Sequence, residues 1–312
     1  MRKIRMLAVG AAVALLVSAC QPGGSDSPSQ SSGAPSTPAE LPTVLVGSAD
    51  FDESAIVAEI YAQVLEGAGF TVERNLYFGT RETYLPALES GELNLVPDYI
   101  GGTADFVGAE SNADPVTTHA VLSEALAEMG LRVFQYSPGQ DSDGFAVTAE
   151  TAQEFDLGTM SDIAPIADQF TWGLPPECPE RDLCGIGLQA VYGIDVTAIP
   201  VENVAPCSAA MAEAVNADAI QVARVCTTQP GIAQFNLVVL EDDLGLNPAQ
   251  NLAPILTDEL AEAGGDLLES TLDAASEALT TEALIELNLL VSVELQDLEE
   301  VVATWLEDQG LT

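Results

Sequence analysis

The 312-residue chain carries 49 acidic residues against eight basic ones, a formal charge of −41, with 47% of its residues hydrophobic. A charge so negative argues against nucleic-acid binding, because nothing would neutralise phosphates, and against docking on anionic lipid, which needs basic clusters. Cationic ligands are attracted at long range and anionic ones repelled, within the reach that salt screening allows.

The chain opens with Arg2, Lys3 and Arg5, an apolar run from Met6 to Val17, the small residues Ser18 and Ala19, and then Cys20. That layout is a bacterial lipoprotein signal, too short to span a bilayer as a stable helix. Residues 1–19 are read as the signal and Cys20 as the acylated first residue of the mature chain, since two or more acyl chains hold a protein on a membrane. An ordinary secretory signal that happens to end in cysteine is the alternative. Residues 20–42 are rich in Gly, Ser and Pro with few apolar residues, which describes a flexible tether. All three leading basic residues precede Cys20, so the chain beyond it carries −44 and no lysine. Everything after Cys20 is therefore expected on the extracytoplasmic face of the cell membrane.

Thr43 to Gly47 reads as a short buried strand, and Asp52 to Ala68 as a helix with apolar residues at Ile56, Val57, Ile60, Tyr61, Val64 and Leu65. A second unit puts Tyr84, Leu85 and Leu88 on a helix stopped at Gly91, followed by a strand over Leu93 to Val96. Leu122 to Met129 is expected to be helical, and Arg132 to Gln135 extended. This alternation implies a parallel sheet flanked by helices. The polar loop Ser137 to Gly144 is expected to cross between lobes, with a strand over Phe145 to Thr148 after it. Beyond it the cadence repeats: helix at Leu188 to Tyr192, extended chain at Val196 to Pro200, helix at Ala209 to Val215 and strand at Ala219 to Val225. The chain closes in amphipathic helices over Thr257 to Ala263, Asp266 to Ala278, Thr281 to Leu289 and Val293 to Gln309, expected to cover the first lobe.

Four cysteines follow Cys20, an even number that suggests disulfides with three possible connectivities in an exported chain. Cys178 and Cys184 close a short Pro-rich loop and are paired, which leaves Cys207 with Cys226. Zinc is the rival reading, but with His119 as the only histidine and no CxxC pair, no metal is expected.

Three stretches carry a resemblance: VLVGSADFDESAIVAEIYAQVLEGAGF, GTRETYLPALESGELNLVPDYIGG and TTQPGIAQFNLVVLEDDLGLNPAQNLAPIL. They resemble the glycine betaine, carnitine and choline binding proteins of osmoprotectant ABC transporters, over most of Thr43 to Leu256. The resemblance implies an α/β, bilobed type II periplasmic-binding-protein fold: two parallel-core lobes joined by two crossings with a ligand cleft between them. Lobe 1 is expected to hold residues 43–144 and 245–312, and lobe 2 residues 145–244. It implies a monomeric solute-binding lipoprotein that needs no cofactor and hands a small cationic or zwitterionic amine to a permease with its ATPase. A surface sensory or adhesive lipoprotein on the same fold is the alternative. An enzyme is disfavoured, because no Ser, His and Asp arrangement and no Gly-rich phosphate loop is present.

A quaternary ammonium has no N–H to donate, so its recognition rests on aromatic faces, and a betaine carboxylate additionally wants donors. The resemblance places a cage tyrosine at Tyr99, just past a strand end. Phe51, Ser48 and Glu53 share the loop after the first strand and could supply a ring, a hydroxyl and a carboxylate. Asp143 and Phe145, with Asp141 before them, lie at the crossing and would suit a cation. Arg81 stands where the family keeps an arginine and could meet a carboxylate or pair with a neighbouring acid. Where relatives carry an aromatic residue before a Thr-Thr-Asp or Ser-Thr-Asp turn, this chain has Cys226, Thr227, Thr228 and Gln229, so one cage wall is missing and Thr227 remains as a candidate contact. A Cys207 to Cys226 bond would fill that space. Trp172 could replace the lost ring, although lobe core is its commoner fate.

Overall fold

The computed structural model describes residues 41–312; the signal, Cys20 and the tether up to residue 40 lie outside the described residues. Strand β1 (Thr43–Ala49) leads into helix α1 (Asp52–Gly67), twelve of whose sixteen residues are buried. The cause is cover on both sides. α1 packs on the sheet on one face and against the C-terminal helices Asp258–Ala278, Thr281–Asn288 and Leu298–Gln309 on the other, so little of it meets water. Its buried Glu59 is neutralised by Arg74, and its Tyr61 hydroxyl meets Ser276 Oγ at 2.8 Å. Strand β2 (Thr71–Gly79) is an edge strand and alternates in exposure. Helix α2 (Arg81–Ser90) stops at Gly91, whose φ of 76° is the left-handed conformation that favours glycine. Strands β3 (Leu95–Tyr99) and β4 (Leu131–Val133) follow.

The second lobe holds β5 (Asp143–Thr148), β6 (Trp172–Leu174), β7 (Val201–Asn203), β8 (Val222–Cys226) and β9 (Leu237–Leu240), after which β10 (Leu252–Thr257) returns to the first sheet. The sheet orders are β2-β1-β3-β10-β4 and β7-β6-β8-β5-β9. In the first, β1 runs parallel to β2 and β3 while β10 is antiparallel to both neighbours. In the second, β6 runs parallel to β7 and β8 while β5 is antiparallel to β8 and β9. This is the bilobed type II arrangement, with a cleft between the lobes. The two crossings run side by side: Gln140 bridges Asn251, Asp141 N donates to Gln250 O at 3.1 Å, and Ser137 N donates to Leu252 O at 2.7 Å.

The structure departs from the sequence expectations at several elements. Val196 to Pro200 is a turn rather than extended chain, because Asp195 Oδ1 accepts from both the amide and the hydroxyl of Thr197; the strand starts at Val201. The last helix starts at Leu298, capped by Asp297, after a break at Leu295, whose φ is 55°. Strands β6, β9 and β10 were not anticipated. The C-terminal helices cover lobe 1, but Ile285 also packs on the lobe 2 core.

Both expected disulfides, Cys178–Cys184 and Cys207–Cys226, are formed. The second joins residues 19 apart in sequence and ties the segment after β7 to the end of β8. Closing a loop of that length limits the unfolded chain by about 3 kcal/mol. Replacing Cys207 and Cys226 together by serine should lower the unfolding free energy by about that amount in urea titration; an unchanged midpoint would show that the loop is held by its other contacts.

Candidate functional site

Ligands of open α/β sheets gather at the carboxyl ends of the strands. Each lobe has a cavity there. In lobe 1, Ala49 at the end of β1, Gly79 at the end of β2 and Asp98 near the end of β3 border a cavity of about 330 Å3, together with Phe51, Arg81 and Phe106. In lobe 2, Glu177 beyond β6, Pro206 beyond β7 and Arg224 on β8 border one of about 510 Å3, together with Asp143 and Arg181.

Asp98 organises the first cavity. It is 4% exposed, and its carboxylate takes two hydrogen bonds from Arg81 at 2.9 and 2.7 Å, one from the Tyr84 hydroxyl, one from Thr103 Oγ1 at 2.7 Å and one from the amide of Tyr99 at 2.8 Å. Arg81 therefore pairs with an acid, Asp98. A Cβ at Gly102 would lie 2.6 Å from Arg81 Nη2, so the guanidinium needs glycine beneath it. At Gly101 a Cβ would lie 2.4 Å from Ala249 O, and Gln250 Oε1 accepts from the amide of Gly102 at 3.0 Å. The Tyr-Ile-Gly-Gly turn and the Pro-Ala-Gln-Asn segment thus pack against each other.

Two rings at this cavity lie open. Phe51 is 43% and Phe106 44% exposed. Phe51 also stacks on Tyr99 with ring centroids 6.3 Å apart and planes 9° from parallel. Tyr99 itself is buried, its hydroxyl donating to Glu53, whose other oxygen accepts from Asn288 Nδ2 at 2.5 Å. Asn288 Nδ2 reaches Thr228 O at 3.2 Å, and the amide of Thr228 donates to Asp141 Oδ1 at 3.2 Å. So Tyr99, Glu53, Asp141, Asn288 and Thr228 form one polar cluster joining lobe 1, a crossing and the turn after β8. Burial, with Glu53 nearby, pushes the Asp141 carboxyl up to about 7. Burial and the Glu53 charge likewise raise the Tyr99 phenol.

The other candidates lie elsewhere. Ser48 is fully buried, its Oγ accepting from Tyr77 N at 2.7 Å and donating to Ala49 O at 3.0 Å, a tie between β1 and β2. Thr227 Oγ1 accepts from Ser142 N and donates to Gln140 O, fastening the turn to the crossing. Phe145 is 3% exposed and meets Trp172 edge-on in the core of lobe 2. Asp143 pairs with Arg224 at 2.6 Å beside the Cys207–Cys226 bridge. With both thiols oxidised, that cluster offers a metal only one carboxylate. Gln229 folds back on its own turn, its Oε1 accepting from Cys226 N. Sequence reasoning missed Phe106, Asp98, Asn288, Arg181 and Arg224. Phe106 sits on a short helix with no pattern of its own, and nothing local marks an arginine in a strand as cleft-facing.

Residues 42–308 match the family described as the substrate binding domain of ABC-type glycine betaine transport systems. The chain is 24% identical over 279 residues to the glycine betaine-binding protein YehZ of Escherichia coli (strain K12), covering 86% of this chain and 91% of the relative. It is 24% identical to the carnitine transport binding protein OpuCC of Listeria monocytogenes serotype 1/2a, covering 85% and 86%. A crystal structure of a glycine betaine/carnitine/choline ABC transporter protein superposes with a TM-score of 0.79 at 19% identity, covering 87% of this chain and 99% of the other.

The raised Asp141 has a measurable consequence. An acid that titrates near 7 when folded and near its ordinary 3.8 when unfolded holds its proton more tightly in the folded state. Its contribution to stability is then fully present below the unfolded value and is lost as pH rises through about 7. Asp141→Asn should flatten the decline in unfolding free energy across that window, measured by denaturant titration at several pH values; a slope unchanged by the substitution would place the titrating group elsewhere.

Proposed function

Since the chain belongs to the family of substrate-binding domains of ABC-type glycine betaine transport systems, we propose that it captures a small quaternary amine or zwitterion outside the cytoplasm and delivers it to a membrane permease powered by an ATPase. Acylated at Cys20, the protein works close to that permease, where anchoring raises its effective concentration. The observation that carries this reading is the pair of open rings, Phe51 and Phe106, at one cavity at the carboxyl ends of lobe 1's parallel strands. Exposed aromatic faces beside carboxylates suit a cation that has no N–H to donate, because the ring quadrupole attracts the charge without a directional bond. The stacked Tyr99 backs Phe51.

The binding partners fit the charge. A field set by −44 charges beyond Cys20 attracts cations from a distance and leaves a zwitterion with no net repulsion. Transport also needs no chemistry at the site, in keeping with a protein that is not an enzyme.

Calorimetry of the protein against glycine betaine, carnitine, choline and proline betaine tests the reading. At least one should bind with a dissociation constant below the millimolar range, and Phe51→Ala and Phe106→Ala should each weaken it by about 0.5 to 2 kcal/mol. Absence of binding across the panel would overturn the assignment of this ligand class.

A further inference from the structure

A third connection joins the lobes besides the two crossings. The helix Thr281–Asn288 lies on lobe 1 through Leu284 and Leu287, which share a core with α1, and on lobe 2 through Ile285, which packs on the core that holds Met211 and Ile232. The turn Leu289–Val293 after it packs on the short helix Gly231–Gln234 of lobe 2. The start of this strap is fastened to the first crossing: Gly139 N donates to Leu279 O at 2.8 Å and Gln140 N to Thr281 Oγ1 at 3.2 Å. A Cβ at Gly139 would lie 2.6 Å from the carbonyl carbon of Thr280, so crossing and strap meet backbone to backbone.

At the other end of the strap helix, Asn288 is 6% exposed, and its one amide nitrogen donates both to Glu53 on α1 and to Thr228 O in the turn after β8. That nitrogen bridges the lobes. A turn of lobe 2 that carries Thr228 away from Glu53 breaks the bridge and leaves a buried polar group short of a partner, which is costly. The bridge also contains two acids and no cation. Glu53 accepts at both oxygens, from the Tyr99 hydroxyl and from Asn288, while Asp141 accepts at Oδ1 from the amide of Thr228 and its Oδ2 meets no donor among the described residues. The nearest guanidiniums are committed: Arg81 to Asp98 beside Tyr99 on β3, and Arg224 on β8 to Asp143 on the crossing. Burial and the Glu53 charge, with a smaller contribution from Asp143, push the Asp141 carboxyl up to about 7.

We propose that the strap is a proton-controlled latch: with Asp141 protonated, the bridge from Glu53 through Asn288 to Thr228 holds the lobes in one arrangement, and ionisation of Asp141 loosens it so that lobe 2 turns more freely. An ionised Asp141 is repelled by Glu53. The crossing that carries it is tied to the turn after β8 by Thr227 Oγ1, which accepts from Ser142 N and donates to Gln140 O, so the turn moves with it and Thr228 O draws away from Asn288. An acid held above its ordinary value stabilises the latched arrangement below neutrality, and that contribution is lost as pH rises through about 7. The latch works whichever ligand the lobes enclose.

Hydrogen exchange of the ligand-free full chain at about pH 5.5 and about pH 8.5, corrected for the intrinsic pH dependence of exchange, reads the latch, and small-angle X-ray scattering reads the lobes. Protection around Thr228 and Asn288 should fall about tenfold from the lower to the higher pH while the interior of α1 stays protected, and the radius of gyration should differ between the two conditions. Asp141→Asn should keep both segments protected and the radius of gyration constant at both pH values. Asn288→Ala should leave both segments weakly protected throughout. Equal protection at both pH values in the wild-type chain, the same pH dependence in Asp141→Asn, or a fall that extends to the interior of α1 would each overturn the latch.

Discussion

Positive charge is the scarce component of this protein, and the placement of the five guanidiniums beyond Cys20 governs much of its architecture. Arg74 neutralises Glu59, which is buried on α1, and Arg81 neutralises Asp98 at the end of β3. Removing the partner of a buried carboxylate leaves an uncompensated charge, so these two pairs fix geometry more than they add net stability. Through Asp98 the constraint spreads. The same carboxylate collects Tyr84 from α2, Thr103 from the helix Ile100–Phe106 and the amide of Tyr99, so the wall that carries Phe106 is set by one anion. Arg132 holds surface acids of the helix Asp258–Ala278, where solvent screening leaves little energy. That leaves Arg181 and Arg224 at the lobe 2 cavity.

The same economy shapes the junction between the lobes. The crossings are joined by backbone bonds, while the polar cluster of Glu53, Tyr99, Asn288, Thr228 and Asp141 spans from α1 to the turn after β8. Both carboxylates sit in it without a cation, and burial, with Glu53 nearby, pushes the Asp141 carboxyl up to about 7.

Much of the first lobe was legible because its signals are local. The apolar spacing of α1, the glycine stop at Gly91 and the alternation of strand and helix each follow from nearby residues. The pairing of Cys178 with Cys184 was legible for the same reason. β10 was not: Leu252–Thr257 is a short apolar run before a helix, and its slot between β3 and β4 is set by tertiary pairing alone. At the site, Phe51 and Tyr99 were singled out by a resemblance and stack together, but the sequence could not show that Ser48 and Thr227 use their hydroxyls in backbone ties or that Phe145 turns inward to Trp172. Side-chain direction at a strand end depends on register and on bulges. Arg224 shows the same limit, since only the three-dimensional structure reveals its pairing with Asp143 and a buried Nε without a partner.

The open rings Phe51 and Phe106 at the lobe 1 cavity are where the proposed ligand's methyl groups sit. Crystallography of the chain grown with glycine betaine tests it most directly. The account predicts the trimethylammonium against Phe51 and Phe106. A ligand bound outside this cavity, or bound with its carboxylate toward Phe51, would contradict it.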